Sequence, residues 1–127
     1  MKALGFILIA LLIIIGCGKV SSVNGWDGGL VAAGTFESHA VVRYWAPRSG
    51  WTLSVDHATI DGPTATLWLT AKGPLDGPLE QTPIEATWEL PATSNIECVQ
   101  AQIRIDEPAA ADRRYRPAAT GCGQIAP

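Results

Sequence analysis

The chain predicts an all-β fold: a small antiparallel β-sandwich or open barrel of five to seven short strands. Between residues 38 and 105, segment after segment alternates apolar and polar residues at period two, the pattern of a strand with one buried face. Turn clusters rich in Gly, Pro and Asp separate these segments. No stretch after the N-terminal apolar run sustains the 3.6-residue period of an amphipathic helix, so runs of short strands packed as two layers are the consistent architecture.

The elements follow in order. Residues 38–45 are rich in Val and aromatics, and Trp51-Thr52-Leu53-Ser54-Val55-Asp56 alternates apolar with polar. Asp61-Gly62-Pro63 makes a turn before residues 65–71, where Ala65, Leu67, Leu69 and Ala71 share one face and Thr66, Trp68 and Thr70 the other. The 73–80 segment contains Gly-Pro-Leu twice; two copies make a loop rather than a repeat architecture. Ile84-Glu85-Ala86-Thr87-Trp88-Glu89-Leu90 alternates without a fault. Val99, Ala101, Ile103 and Ile105 give a fifth strand an apolar face, with Gln100, Gln102 and Arg104 opposite.

The N-terminus is a different kind of segment. After Lys2, residues 3–15 carry no charge and are dominated by Leu, Ile and Phe, before the small residues Gly16, Cys17 and Gly18. That is the order of a secretory signal. At about 1.5 Å per residue a helix over this run covers only about 20 Å, against a hydrocarbon core of about 30 Å, which disfavours a membrane span. The tetrad Ile14-Ile15-Gly16-Cys17 resembles the lipobox of bacterial lipoproteins, with a branched apolar residue three places before the cysteine and a small residue directly before it. The resemblance implies that residues 1–16 are cleaved and that Cys17 becomes the first residue of the mature chain. It would then carry a thioether-linked diacylglycerol and an N-acyl group. One acyl chain binds a membrane only marginally, but two or three hold firmly, so lipid on Cys17 would anchor the protein. Residues 17–34 read as the lipidated N-terminus and a flexible tether, with Ser, Asn and Gly concentrated in 19–30, and residues 35–127 as one β-domain. The expected location is the cell envelope, facing the periplasm or the exterior. Gly18 lacks the acidic character tied to inner-membrane retention, which favours the outer membrane in a Gram-negative cell.

Cleavage leaves 111 of the 127 residues, enough for one domain. Twelve acidic residues against nine basic ones argue against nucleic acid as a partner. The one basic cluster, Arg113, Arg114 and Arg116 around Tyr115, reads first as a solvated loop and second as a contact for lipid headgroups or an acidic partner. With Cys17 lipidated, Cys98 and Cys122 remain, and in an exported chain they are the expected disulfide pair. The bridge would close a loop of about 25 residues, stabilise the fold by roughly 3 to 4 kcal/mol and pin the Pro- and Ala-rich tail to the last strand. A metal site would need closer spacing and nearby histidines.

Catalytic constellations are not evident, and the chain reads as a non-enzyme without cofactor or metal. Ser54, Asp56 and His57 are close in sequence, but strand alternation sends Ser54 and Asp56 to the face opposite His57. His39 lacks a ligand partner at usable spacing, and the carboxylates are scattered singly. Glu85, Thr87 and Glu89 read as an exposed polar strand face.

The tryptophans are more informative. Trp88, in line with Ile84, Ala86 and Leu90, is a core residue; Trp68, opposite Leu67 and Leu69, covers a second sheet or marks a binding surface. Trp45 and Trp51 bracket the turn Ala46-Pro47-Arg48-Ser49-Gly50, a tip that its own strands are poorly placed to bury. The expected partner-binding residues are therefore Trp45, Pro47, Arg48, Gly50 and Trp51, with Trp68 the next candidate. Residues 46–55, followed by a polar turn and Ala65-Thr66-Leu67-Trp68-Leu69, resemble the C-terminal domain of the PrcB protease-complex subunit family, small bacterial lipoproteins thought to stabilise a partner protease. A similar Pro, Gly and aromatic loop occurs in chagasin-type cysteine protease inhibitors, which insert loops of an immunoglobulin-like sandwich into an active site. Arg48 and Ser49 depart from the Thr or Gly more common in both families. The first resemblance implies a lipid-anchored envelope protein that binds another envelope protein and stabilises a protease, the second a loop-inserting inhibitor.

Overall fold

A computed structural model describes residues 28–106 and 113–126; the signal segment, Cys17, Trp26 and most of the proposed tether lie outside the described residues. The described chain forms seven strands: β1 Val31–Phe36, β2 His39–Ala46, β3 Thr52–Asp61, β4 Thr64–Lys72, β5 Thr82–Glu89, β6 Cys98–Asp106 and β7 Arg116–Cys122. They make two sheets, of order β1-β2-β5 and β3-β4-β6-β7, packed as an open sandwich and not closed into a barrel.

The alternation read from the sequence builds this core. Ala65, Leu67, Leu69 and Ala71 of β4 and Val99, Ala101 and Ile103 of β6 are buried from one sheet, and Val31, Ala33, Ala40, Val42, Tyr44 and Ala46 from the other. Trp88 packs partly buried against them, as its phase within β5 predicts. One pairing departs from the antiparallel expectation: β4 and β6 run parallel, from Thr64 opposite Cys98 to Lys72 opposite Asp106. The reason is topological. The strand between them, β5, pairs with β2 in the other sheet, so the chain returns to the four-stranded sheet in its original direction.

The strands at either end of the described chain also differ from expectation. β1 begins at Val31, inside the 17–34 tether, and its first four residues are buried. A strand with both faces covered does not alternate, so Val31-Ala32-Ala33-Gly34 carries no period-two signal. At the other end, the tail is itself a strand. β7 pairs with β6 in register from Cys98↔Cys122, and the two sulfurs lie 2.06 Å apart, the bonded distance expected for this pair. Gly121 lets β7 run against β1, since a Cβ there would sit 1.7 Å from the carbonyl oxygen of Ala33. Beyond β7, Thr35 and Ile125 donate their amides to the carbonyls of Gly123 and Thr35, and Ile125 is buried beside Ala32 and Val41 on the outer face of the three-stranded sheet.

Candidate functional site

The Trp45 to Trp51 tip is where the sequence placed the contact, and the chain's own 73–80 loop occupies much of it. Trp51 is a core residue, only 6% exposed; its indole N–H donates to the carbonyl of Pro74 at 3.1 Å, and its ring lies edge-on to Tyr44. The ring rests directly on Gly73, where a Cβ would fall 2.2 Å from it. The amide of Glu80 donates to the carbonyl of Pro47 at 2.9 Å, Arg48 Nε donates to the carbonyl of Gly77 at 3.2 Å, and Gly50 packs near Pro74. The 46–51 segment is a crossing between the two sheets rather than a hairpin turn, and Trp45, on the outer face of the three-stranded sheet, packs partly buried against the cluster of Ala32, Val41 and Ile125. The expectation that a partner must cover both rings is thus corrected. A neighbouring loop folds over Trp51, and the C-terminal segment packs against Trp45.

The sixth candidate, Trp68, stands in a side-chain cluster on the outer face of the four-stranded sheet. His57 stacks on its ring, with centroids 4.5 Å apart and planes inclined by 11°. A β-bulge creates this arrangement. Val55 pairs with Leu69 and His57 with Trp68, leaving Asp56 as an extra residue. Val55 and Ala58 pack toward the core, so Asp56 and His57 both project outward. Strict alternation would have separated them; the bulge sets them on one face.

Asp56 is the hub. Its carboxylate accepts from the hydroxyl of Thr70 at 2.5 Å and from that of Tyr115 at 2.6 Å, and Arg104 Nε lies 3.8 Å away. Arg104 Nε also donates to Thr70 Oγ1 at 2.8 Å, and its guanidinium lies 5.1 Å from the Tyr115 ring centre. Burial opposes ionisation of Asp56, but the Thr70 and Tyr115 hydrogen bonds, with the fields of Arg104 and His57, outweigh it and hold the carboxyl below its ordinary value. Donation to that carboxylate, together with burial, raises the Tyr115 phenol. The Thr70 hydroxyl both donates and accepts here and is only 9% exposed, so it is fully engaged. Among the described residues, no group of three or more His, Cys, Asp or Glu is placed to hold a metal ion.

The arrangement is a charge-fixed, aromatic cluster on a sheet face: a stacked His57 and Trp68 pair beside a carboxylate and guanidinium locked by hydroxyls. Four of its six members, Asp56, Thr70, Arg104 and Tyr115, were missed as a set. The sequence does carry one signal of it. The apolar frame of β3 shifts from Leu53 and Val55 to Ala58 and Ile60, with two polar residues at the shift. No family model, curated protein or solved structure matches this chain.

Proposed function

We propose that this is a lipid-anchored, non-enzymatic cell-envelope protein whose β-domain binds another envelope protein through the outer face of the four-stranded sheet. The observation that carries the reading is the stacked pair of an exposed His57 and a half-buried Trp68 on a sheet face, rimmed by Arg104 and Tyr115. Trp, Tyr and Arg are the side chains that most often dominate binding energy, and rigid, prepaired rings lose little entropy on contact. With the Thr70 and Tyr115 hydroxyls both donating to Asp56, the face is suited to recognition rather than to covalent chemistry. The anchor rests on the lipobox at Cys17. The resemblance to the PrcB family makes a membrane-associated protease the first partner to seek. An inhibitor would need the Pro47 to Trp51 loop for insertion, and its hydrogen bonds to the 73–80 loop favour the sheet face instead.

The test is capture from crosslinked native membranes with the tagged full chain. Trp68→Ala and His57→Ala should each weaken capture, Trp68→Ala by about 2 kcal/mol or roughly thirtyfold in Kd, while lowering the thermal midpoint by no more than about 4 to 8 °C. Wild-type capture by both variants would refute the sheet face as the contact. Mass spectrometry of the same material should show a chain that begins at acylated Cys17.

A further inference from the structure

The two ends of the sandwich are not alike. The Trp45 N–H donates to the carbonyl of Leu30 and Val31 pairs with Tyr44, so the chain leaves the domain toward Cys17 at the end that holds the 46–51 and 73–80 loops. Three of the four large hydrophobic side chains exposed among the described residues are at this end: Leu30, Leu75 and Leu79, the last 77% exposed. The fourth, Ile60, sits at the opposite end beside the β3–β4 turn. Residues 18–27 link Cys17 to the first described residue, and eleven chain steps reach no further than about 40 Å.

From this placement we infer that the tether-exit end is a membrane-contacting face, with Leu75 and Leu79 dipping into the interfacial region of the bilayer that holds the Cys17 lipid. The inference rests on the lipid anchor proposed above and adds an orientation to it. An isolated pair of leucines would bind a bilayer feebly, but a domain tethered within about 40 Å of the surface meets it at high effective concentration. The contact is apolar in character. Lys72 and Arg113 at this end face Asp76 and Asp106 across the same groove, with Arg113 and Asp106 already 3.8 Å apart, so the charges offset one another and anionic headgroups add little. The same orientation turns the β1–β2 and β3–β4 turns away from the membrane and stands the Trp68 face alongside it, open to a partner in the envelope.

The experiment places photoreactive benzoylphenylalanine at Leu79 in the full chain and, as a control, at Thr93 in the exposed turn at the opposite end. The purified proteins are reconstituted in phosphatidylcholine vesicles, with and without phosphatidylglycerol, irradiated and analysed by mass spectrometry. Phospholipid adducts should form at position 79 several-fold more than at 93, to the same extent in both vesicle types. Equal yields at the two positions, or adducts at 79 only to a second protein chain, would overturn the inference, and acyl groups on Cys17 in that sample would leave the anchor itself intact. A chain without acyl groups removes the anchor; adducts at 79 would then sustain the face as a contact in its own right, and their absence would overturn both.

Discussion

Trp51 and Trp68 are the same residue type, one between Gly50 and Thr52 at a loop end and the other between Leu67 and Leu69 in a strand, yet the loop residue is interior and the strand residue is outward. Trp51 precedes β3 at a loop end, where exposure is the ordinary expectation, and it is buried because Gly73 leaves room for its ring and the Pro74 carbonyl takes its N–H. Trp68 lies mid-strand in the centre of a sheet, where burial is common, and it faces outward because its neighbours Leu67 and Leu69 take the core. Position along an element therefore decided neither case. What decided them was whether a second segment, distant in sequence, arrives to cover the ring. The 73–80 loop does so for Trp51, whereas Trp68 has its immediate companion on β3, one residue past a bulge.

The largest expected effect tests that contrast directly. Trp51→Ala should cost about 3 to 5 kcal/mol, as a large core truncation that also orphans the Pro74 carbonyl, and Trp68→Ala about 1 kcal/mol or less. Chemical denaturation of the two variants checks it, and near-equal losses would mean that the Trp68 face is itself part of the packed core. Gly73→Ala should behave like Trp51→Ala in milder form, because its Cβ would displace the ring.

The contrast also marks what was legible in the sequence. Period-two patterning located the five interior strands and the core phase of Trp88, because one-sided burial is a local property that each strand records in itself. β1 was missed since its small residues are covered on both faces and its turn, Glu37-Ser38, takes positive φ at both positions without the Asn or Gly that signals such hairpins. β7 carries no strand signal of its own because Arg116-Pro117-Ala118-Ala119 has little β-propensity; the pairing with β6 and the Cys98–Cys122 link hold it in place. The cluster around Asp56 needs β3, β4, β6 and the start of β7 together, a juxtaposition no single segment records. Only the frame shift at Asp56-His57 was local, and strict alternation overrode it.

A second prediction sharpens the comparison through β7, which follows Tyr115 on the Trp68 face and pairs with β6, whereas the Trp51 ring is covered by the 73–80 loop. Replacing Cys98 and Cys122 together by Ala opens a loop with a sequence separation of 24 and should cost about 3.5 kcal/mol in the chain-entropy model. Hydrogen exchange should accelerate most in β7 and next in β6, with the Trp51 indole N–H among the protons least affected. Uniform acceleration in both regions would show that the two sites unfold as one unit and that the bridge does not act on β7 in particular.

The smallest effect, and the most local, is the pH response of the Asp56 and Tyr115 pair. The Asp56 carboxyl is held below its ordinary value of 3.8, so its contribution to stability is present above the unfolded pKa and is lost as pH falls through the folded one. Tyr115 is raised above 10.0, so its contribution is complete below the unfolded phenol pKa and is lost as pH rises through the folded one. One hydrogen bond thus narrows stability from both sides: it needs an ionised acceptor and a neutral donor. Tyr115→Phe should move the Asp56 carboxyl only part of the way back, because Thr70 still donates to it, whereas Asp56→Asn should return the phenol nearly to its ordinary value, its charged acceptor being gone. NMR titration of the Asp56 carboxyl carbon and ultraviolet titration of the phenol measure the two shifts separately. Trp51 supplies the internal control, since its N–H goes to a backbone carbonyl that does not titrate. If Tyr115→Phe left the Asp56 titration unchanged, the Tyr115 hydroxyl would have no part in fixing the carboxylate, and Thr70, Arg104 and His57 would hold the charge on this face.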